Sequence, residues 1–299
     1  MKDVTRESCH RRIARAIERL NADPADPGGG AALAEAAAYS PFHFLRIFRA
    51  MVGESPAAVA RRLRLERAAR ALLDPQATVL NVALDAGYES PEAFSRAFRA
   101  AYGLAPRDWR GPWPRPAYAP PLPPALRLDP RSLTLALEPL QGGTTMEVRV
   151  EPRPAMLLLK RRHIGPYDRI SRAFGELGAR AGAAGLAPAG PMIGLYHDDP
   201  ESAPPETLRA DACIALAAPP PAVPEGLELE RLPAGRWAIH TLHGPYAGIP
   251  DAFRRLYGLW LPESGEEPDD RPALEIYLDE PSSTPEAELR TELCLPLRG

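Results

Sequence analysis

The chain has 299 residues, 45% hydrophobic and 25% charged, which is enough apolar material for two packed domains and the composition of a globular protein. Three cysteines (Cys9, Cys213, Cys294), no opening signal segment and no apolar run near the ~20 residues of a membrane span exclude a disulfide scaffold and a helical membrane protein, so a reduced, soluble, cytoplasmic chain is expected. The net charge of −3 is uneven: residues 1–112 hold 17 basic and 13 acidic side chains, a balance of +4 against −7 for the rest, so a polyanion partner suits the first part only.

In chain order, residues 4–21 read as a helix with Ile13, Ile17 and Leu20 on one side, broken by the Pro/Gly-rich stretch 23–30. A pattern then occurs twice at an offset of 50, with nine of seventeen positions identical: Ser40-Pro41-x-x-Phe44-x-Arg46-x-Phe48-Arg49-Ala50-x-x-Gly53-x-x-Pro56, and Ser90-Pro91-x-x-Phe94-x-Arg96-x-Phe98-Arg99-Ala100-x-x-Gly103-x-x-Pro106. Phe44, Ile47, Phe48 and Met51 fall at the i, i+3, i+4, i+7 spacing of a buried helical stripe, as do Phe94, Ala97, Phe98 and Ala101. Phe42, His43, Arg46 and Arg49 occupy the outer face of the first helix, and Glu92, Ser95, Arg96 and Arg99 that of the second. Ser40 and Ser90 are expected N-caps, with Pro41 and Pro91 at the first helical position. A shorter helical stretch and a tight turn precede each copy (31–38 and 79–86), which makes each a helix-turn-helix.

Residues 30–110 resemble the DNA-binding domain of the AraC/XylS family of bacterial transcription regulators. The resemblance rests on Leu63-x-x-Glu66-Arg67-Ala68, Val82-Ala83-x-x-Ala86-Gly87-Tyr88-x-Ser90, Phe94-Ser95-Arg96-x-Phe98-Arg99 and Gly103-x-x-Pro106-x-x-Trp109-Arg110. It implies an all-α domain with two helix-turn-helix units joined by a long helix, here from about Pro56 to Leu73. Their recognition helices enter successive major grooves of promoter DNA about one turn (~34 Å) apart. Arg46 and Arg96 then read bases or phosphates, and Arg49 and Arg99 contact phosphate or pair within the protein. Phe42 and Leu45 suit thymine methyls or shape, and Pro91, Glu92 and Ala93 leave the second helix short of donors.

From Pro112 to Pro124 seven of thirteen residues are proline, and residues 112–145 are expected to form an extended linker, although residues 133–137 would also suit a strand. The domain boundaries are therefore 1–111, 112–145 and 146–299. The last segment repeats internally. Gly165-Pro166-Tyr167-x-x-Ile170-x-x-Ala173-Phe174-x-x-Leu177 returns 79 residues later as Gly244-Pro245-Tyr246-x-x-Ile249-x-x-Ala252-Phe253-x-x-Leu256, and after a two-residue shift Tyr196, Asp198, Arg209 and Cys213 correspond to Tyr277, Asp279, Arg290 and Cys294. The expectation is an α+β domain of two halves about a pseudo-twofold axis, with a ligand groove between them.

In the segment 273–280, Leu274, Ile276 and Leu278 take one strand face and Glu275, Tyr277 and Asp279 the other. Gly194 stands where the first half would carry the equivalent of Glu275, which suggests a carboxylate opposite an open wall. Glu275, Tyr277 and Tyr196 would attract an organic cation through charge and ring quadrupole. Tyr167, Trp237, Tyr246 and Trp260 are further candidate lining residues, with ordinary core packing as their alternative. This half resembles the GyrI-like effector-binding domain, also attached to regulators that sense drug-like cations. The residues are His163-x-Gly165-Pro166-Tyr167, Tyr196-His197-Asp198-Asp199-Pro200, His243-Gly244-Pro245-Tyr246, Leu259-Trp260-Leu261-Pro262 and Glu275-Ile276-Tyr277-Leu278. The resemblance implies that a Glu on this strand contacts the cation.

The histidines make no metal spacing, and no cofactor or catalytic motif stands out. The expected partners are double-stranded promoter DNA, a small organic ligand and RNA polymerase, with no membrane. Two other readings stay open: a small-molecule hydrolase using Glu275 and a tyrosine, or a ligand-independent recruitment module.

Overall fold

A computed structural model describes residues 2–26, 28–110, 121–138, 146–200 and 203–299. The chain divides into two compact units, one of residues Cys9–Ala38 and Met51–Gln141, the other of Met1–Ser8, Tyr39–Ala50 and Gly142–Gly299.

The first unit contains most of α1 (Lys2–Ala22), then α2 (Gly29–Ala36), α4 (Pro56–Ala71), α5 (Val79–Asp85) and α6 (Pro91–Tyr102). Helix starts follow local chemistry. Thr78 Oγ1 accepts the Asn81 N–H at 3.1 Å, Ser55 Oγ that of Ala58 at 3.3 Å and Ser90 Oγ that of Ala93 at 3.1 Å, the last two with proline next. Helix α6 ends at Gly103, whose φ of 73° lies in the left-handed region. The turn between α5 and α6 needs Gly87: its φ is 71°, and a Cβ there would lie 2.9 Å from that of Ala25.

Apolar spacing builds one core from Leu65, Leu72, Val82, Phe94, Phe98, Tyr102 and Trp109, and the Trp109 indole N–H donates to the Ala69 carbonyl at 2.8 Å. The proline-rich stretch departs from a plain linker. Residues Leu126–Asp129 (β1) and Thr134–Leu137 (β2) pair as an antiparallel hairpin with Leu126, Leu135 and Leu137 buried. Asn21 of α1 holds it by exchanging two bonds with the backbone of Leu135, at 2.7 and 2.8 Å. Alternating leucines with a fixed amide partner outweigh the neighbouring prolines. Residues 111–120 and 139–145 of the expected linker lie outside the described residues.

The second unit is an eight-stranded antiparallel sheet with helices. Its strands are β3 (Arg149–Arg153), β4 (Met156–Ile164), β5 (Met192–Tyr196), β6 (Arg209–Leu216), β7 (Glu228–Leu232), β8 (Gly235–His243), β9 (Ala273–Tyr277) and β10 (Arg290–Leu297), in the order β3-β8-β10-β9-β5-β6-β4-β7. The order is symmetric about the β9–β5 pair. Side chains mark the same relation: Arg209 binds Asp198 through its backbone N–H, Nε and Nη2 at 2.7, 3.0 and 2.8 Å, and Arg290 binds Asp279 through the same atoms at 2.8, 3.0 and 2.8 Å.

One sheet face packs on α7 (Ser171–Ala183), with Ala173, Leu177 and Ala181 against Tyr196, Ala210 and Ala212. The opposite face buries Leu158, Ile193, Leu195, Cys213, Trp237, Ile239, Leu274, Ile276 and Cys294. α8 (Ile249–Arg255) continues into a π-helical turn, Leu256–Trp260, and the short α9 (Leu261–Ser264). Helix α3 (Pro41–Val52) has its residues 41–50 in this second unit. The three cysteines are buried and outside any disulfide, and among the described residues no helix is long and apolar enough to cross a membrane.

Candidate functional site

The centre of the sheet brings the predicted acid to the face that carries α7. Strands β5 and β9 pair with Gly194 directly opposite Glu275, and alternation puts Tyr196 and Tyr277 on that same face. Glu275 is 6% exposed. The Tyr277 hydroxyl donates to Glu275 Oε2 at 2.7 Å, and the Tyr196 and Tyr277 hydroxyls lie 2.6 Å apart. Because the Tyr277 proton goes to the carboxylate, Tyr196 donates to Tyr277, and the two hydroxyls form a relay ending on the acid. Burial pushes the Glu275 pKa up to about 7, against the Tyr277 hydrogen bond, the charge of Arg46 and the Tyr196 hydrogen bond, which all pull it down. The carboxyl is thus poised to change charge near neutrality.

Aromatic rings surround the relay. Tyr167 meets Tyr196 edge-on at 4.8 Å between centroids, and Phe174 and Tyr246 meet Tyr277 at 5.7 and 5.4 Å. Burial raises the Tyr167 pKa to about 12, and its hydroxyl lies 3.0 Å from the Asp198 and Arg209 carbonyls. Of the eight sequence candidates, the structure gathers Glu275, Tyr277, Tyr196, Gly194, Tyr167 and Tyr246. The other two differ. Trp237 stands on the opposite sheet face, since its strand alternates with Ile239 into the second core, where the Arg271 guanidinium lies 4.7 Å over its ring. Trp260 is buried at the end of the π-helical turn, and Tyr257 of that turn is the ring that reaches α3. Nor is Gly194 an open wall. The Tyr196 ring leans across it, and a Cβ there would sit 2.6 Å from Tyr196 Cε2. The glycine is what allows Tyr196 to reach Tyr277.

Helix α3 presents its expected DNA-contacting face differently from the sequence reading. His43 is buried rather than outward (1% exposed). Its Nε2 donates to the Arg271 carbonyl at 2.9 Å, which leaves Nδ1 to accept the Tyr257 hydroxyl at 2.9 Å. Burial, with the Arg46 charge beside it, lowers the His43 pKa to about 3 and keeps the ring neutral. Arg46 is half-buried. Its Nη2 donates to the carbonyls of Tyr196 and Asp198 at 3.2 and 3.1 Å, and its guanidinium lies 5.5 and 6.0 Å from the ring centroids of Phe253 and Tyr257. Phe42 is partly buried with its ring 6.3 Å from that of His197, and Arg49 is partly buried. The Ser40 hydroxyl is buried without capping α3; the Ser40 carbonyl accepts from the N–H groups of His43 and Phe44 instead.

The second predicted helix matches its reading. Phe94 and Phe98 are buried, while Glu92, Arg96 and Arg99 are exposed. With Pro91 and Ser95 they line an open concavity of ≈ 340 Å³ on the outer face of α6.

Sequence reasoning missed Phe174, Phe253 and Tyr257 as parts of the site. Phe253 and Tyr257 stand four residues apart, one helical turn, and that spacing after the Gly-Pro-Tyr turn was the available signal. It also missed a buried charge cluster on the other sheet face. Asp211 is fully buried and binds Arg162 Nε at 2.5 Å and His197 Nε2 at 2.8 Å, with Lys160 Nζ at 3.7 Å. Although burial pushes its pKa up, the His197 and Arg162 bonds and the Lys160 charge hold it at about 2.

Comparison with known proteins places two family models on the chain. A GyrI-like small molecule binding domain matches residues 146–298, and a helix-turn-helix domain matches residues 33–111. A DNA gyrase inhibitor of Yersinia enterocolitica is 30% identical over 135 residues, covering 44% of this chain and 85% of that protein. An HTH-type transcriptional regulator of Mycobacterium tuberculosis is 38% identical over 78 residues, covering 26% of this chain and 30% of that one. The crystal structure of the EcmrR C-terminal domain is 19% identical with a TM-score of 0.46, over 52% of this chain and 99% of that one.

Proposed function

The chain belongs to the GyrI-like small molecule binding domain family and carries an AraC-type helix-turn-helix domain ahead of it, and from this we propose that it is a DNA-binding transcription regulator governed by a small organic cation. The observation that carries the ligand class is Glu275: a carboxylate 6% exposed, fed by two tyrosine hydroxyls and ringed by aromatic side chains. A buried acid of this kind gains more from a desolvated cation than from a neutral molecule of the same shape, and tyrosine faces add cation–π attraction.

Residues 146–299 act as two copies of one strand–helix–strand–strand unit; the matched Asp198–Arg209 and Asp279–Arg290 bonds support this. In the N-terminal part, two helix-turn-helix units joined by α4 read promoter DNA, with Arg46 and Arg96 toward bases or phosphates and Arg49 and Arg99 toward phosphates. The exposed arginine face of α6 supports the second unit. RNA polymerase is the partner through which a bound regulator changes transcription. The domain senses its ligand and does not convert it.

Calorimetric titration of the whole chain with a panel of lipophilic cations and matched neutral analogues tests the ligand reading, with Glu275→Gln alongside. Cations that bind the wild type and not the variant are expected. Neutral analogues binding both proteins equally would remove Glu275 from the site.

A further inference from the structure

A cation already stands on the Tyr196 wall beside Glu275, and the chain supplies that cation itself. Arg46 of α3 donates to the Tyr196 and Asp198 carbonyls and lies over Phe253 and Tyr257. Its charge draws down the pKa of the buried Glu275 carboxyl. His43, one helical turn before Arg46, fixes the helix through the Tyr257 hydroxyl and the Arg271 carbonyl.

The chemistry of this seat is specific. Carbonyl oxygens accept N–H bonds in the plane of a guanidinium, aromatic rings take its face, and buried carboxylates complement its charge. An ammonium, a compact point charge, uses fewer of these features. Tyr167 and Tyr196, which frame the same carbonyls, continue the aromatic wall from the Arg46 seat to the Glu275 relay. A planar cation joined to an aryl group would therefore span both. Arg46 is also the α3 residue assigned above to DNA, and one guanidinium cannot lie against Tyr196 and a base pair at once.

We propose that the wall running from the Tyr196 and Asp198 carbonyls to Glu275 is a guanidinium/amidinium site whose carbonyl end Arg46 occupies as an internal ligand, and that the effector is an aryl guanidinium or amidinium that replaces Arg46 and frees α3 for DNA. This rests on the reading of Glu275 as a cation partner and of α3 as a recognition helix. Ligand and DNA then favour the same undocked state, so each strengthens the binding of the other.

The test is calorimetric titration of the full chain with phenylguanidinium and with neutral phenylurea, using wild type, Arg46→Gln, Arg46→Lys and Glu275→Gln. An internal competitor lowers apparent affinity by the fraction of molecules in which the site is open, so phenylguanidinium is expected to bind Arg46→Gln about tenfold tighter than wild type. Arg46→Lys keeps the charge without the planar fork and falls between them. Phenylurea binds none of the four. Equal phenylguanidinium affinity for wild type and Arg46→Gln, with loss in Glu275→Gln, overturns the Arg46 inference and leaves the cation site standing. No binding to any protein, with circular dichroism showing all four folded, overturns both. A second readout needs no ligand: Tyr257→Phe removes the His43 partner without altering α3, and should raise the DNA affinity of the free chain several-fold. Unchanged DNA affinity there refutes the release of α3.

Discussion

Replacing Glu275 with glutamine should make the protein more stable above neutral pH. Burial raises the Glu275 pKa from 4.5 to about 7, so the folded state keeps a proton that the unfolded chain gives up. A carboxyl with its folded pKa above its unfolded value loses stability as pH rises between the two. At about 1.4 kcal/mol per unit, ionised Glu275 costs the fold about 3 kcal/mol once the pH is above 7. Glutamine fills the same volume and still accepts the Tyr277 hydroxyl, but never ionises. Urea unfolding of the full chain at pH 5, 6, 7 and 8 under constant ionic strength, followed by tryptophan emission, measures the difference. Near pH 5 the two proteins should be within about 1 kcal/mol, and by pH 8 the variant should lead by about 2–3 kcal/mol. A difference that is the same at pH 5 and pH 8 would refute the reasoning, because the carboxyl would then not titrate in that window.

Other changes test other parts of the account. Gly194→Ala puts a Cβ 2.6 Å from the Tyr196 ring, so that ring must move and the relay to Glu275 opens; a loss of about 1–3 kcal/mol in urea unfolding and weaker cation binding are expected. Asp211→Asn removes the buried charge that Arg162 pairs with, while Lys160 keeps Glu230 at 2.7 Å, and should cost about 3 kcal/mol at pH 7, again read by urea unfolding. The stability from wild-type Asp211 is present above its ordinary pKa of 3.8 and is lost as pH falls toward about 2. Arg96→Ala should lower DNA affinity by about 1–3 kcal/mol if Arg96 reads a base, and reduce the salt slope by about one if it contacts phosphate; fluorescence anisotropy across salt concentrations separates the two.

Much of this architecture is legible in one sequence because repetition is itself a signal. The offset of 50 places the buried phenylalanines of α6, and the second internal match equates Asp198 with Asp279 and Arg209 with Arg290, though not the bonds that join each pair. Strand alternation likewise separates Glu275 from Leu274 and Ile276. The same alternation would have placed Trp237 beside Ile239 in the second core, the packing alternative that aromatic character alone left open.

What the sequence hides depends on contacts between distant segments. His43 and Tyr257 are 214 residues apart, and no local period marks a histidine that will be buried by a distant turn. Arg46 shares its outward position with Arg96, yet one lies on a wall of carbonyls and rings while the other faces solvent. The Asn21–Leu135 exchange that fixes the hairpin is likewise invisible beneath the proline content of its neighbours.

A cation at Glu275 that governs DNA binding must show itself in one titration. A labelled duplex selected by the chain from random-sequence DNA is titrated by anisotropy, with and without a lipophilic cation that calorimetry has found to bind. DNA affinity should shift in the wild type and not in Glu275→Gln. A cation that saturates the wild type and leaves its DNA affinity unchanged would contradict it.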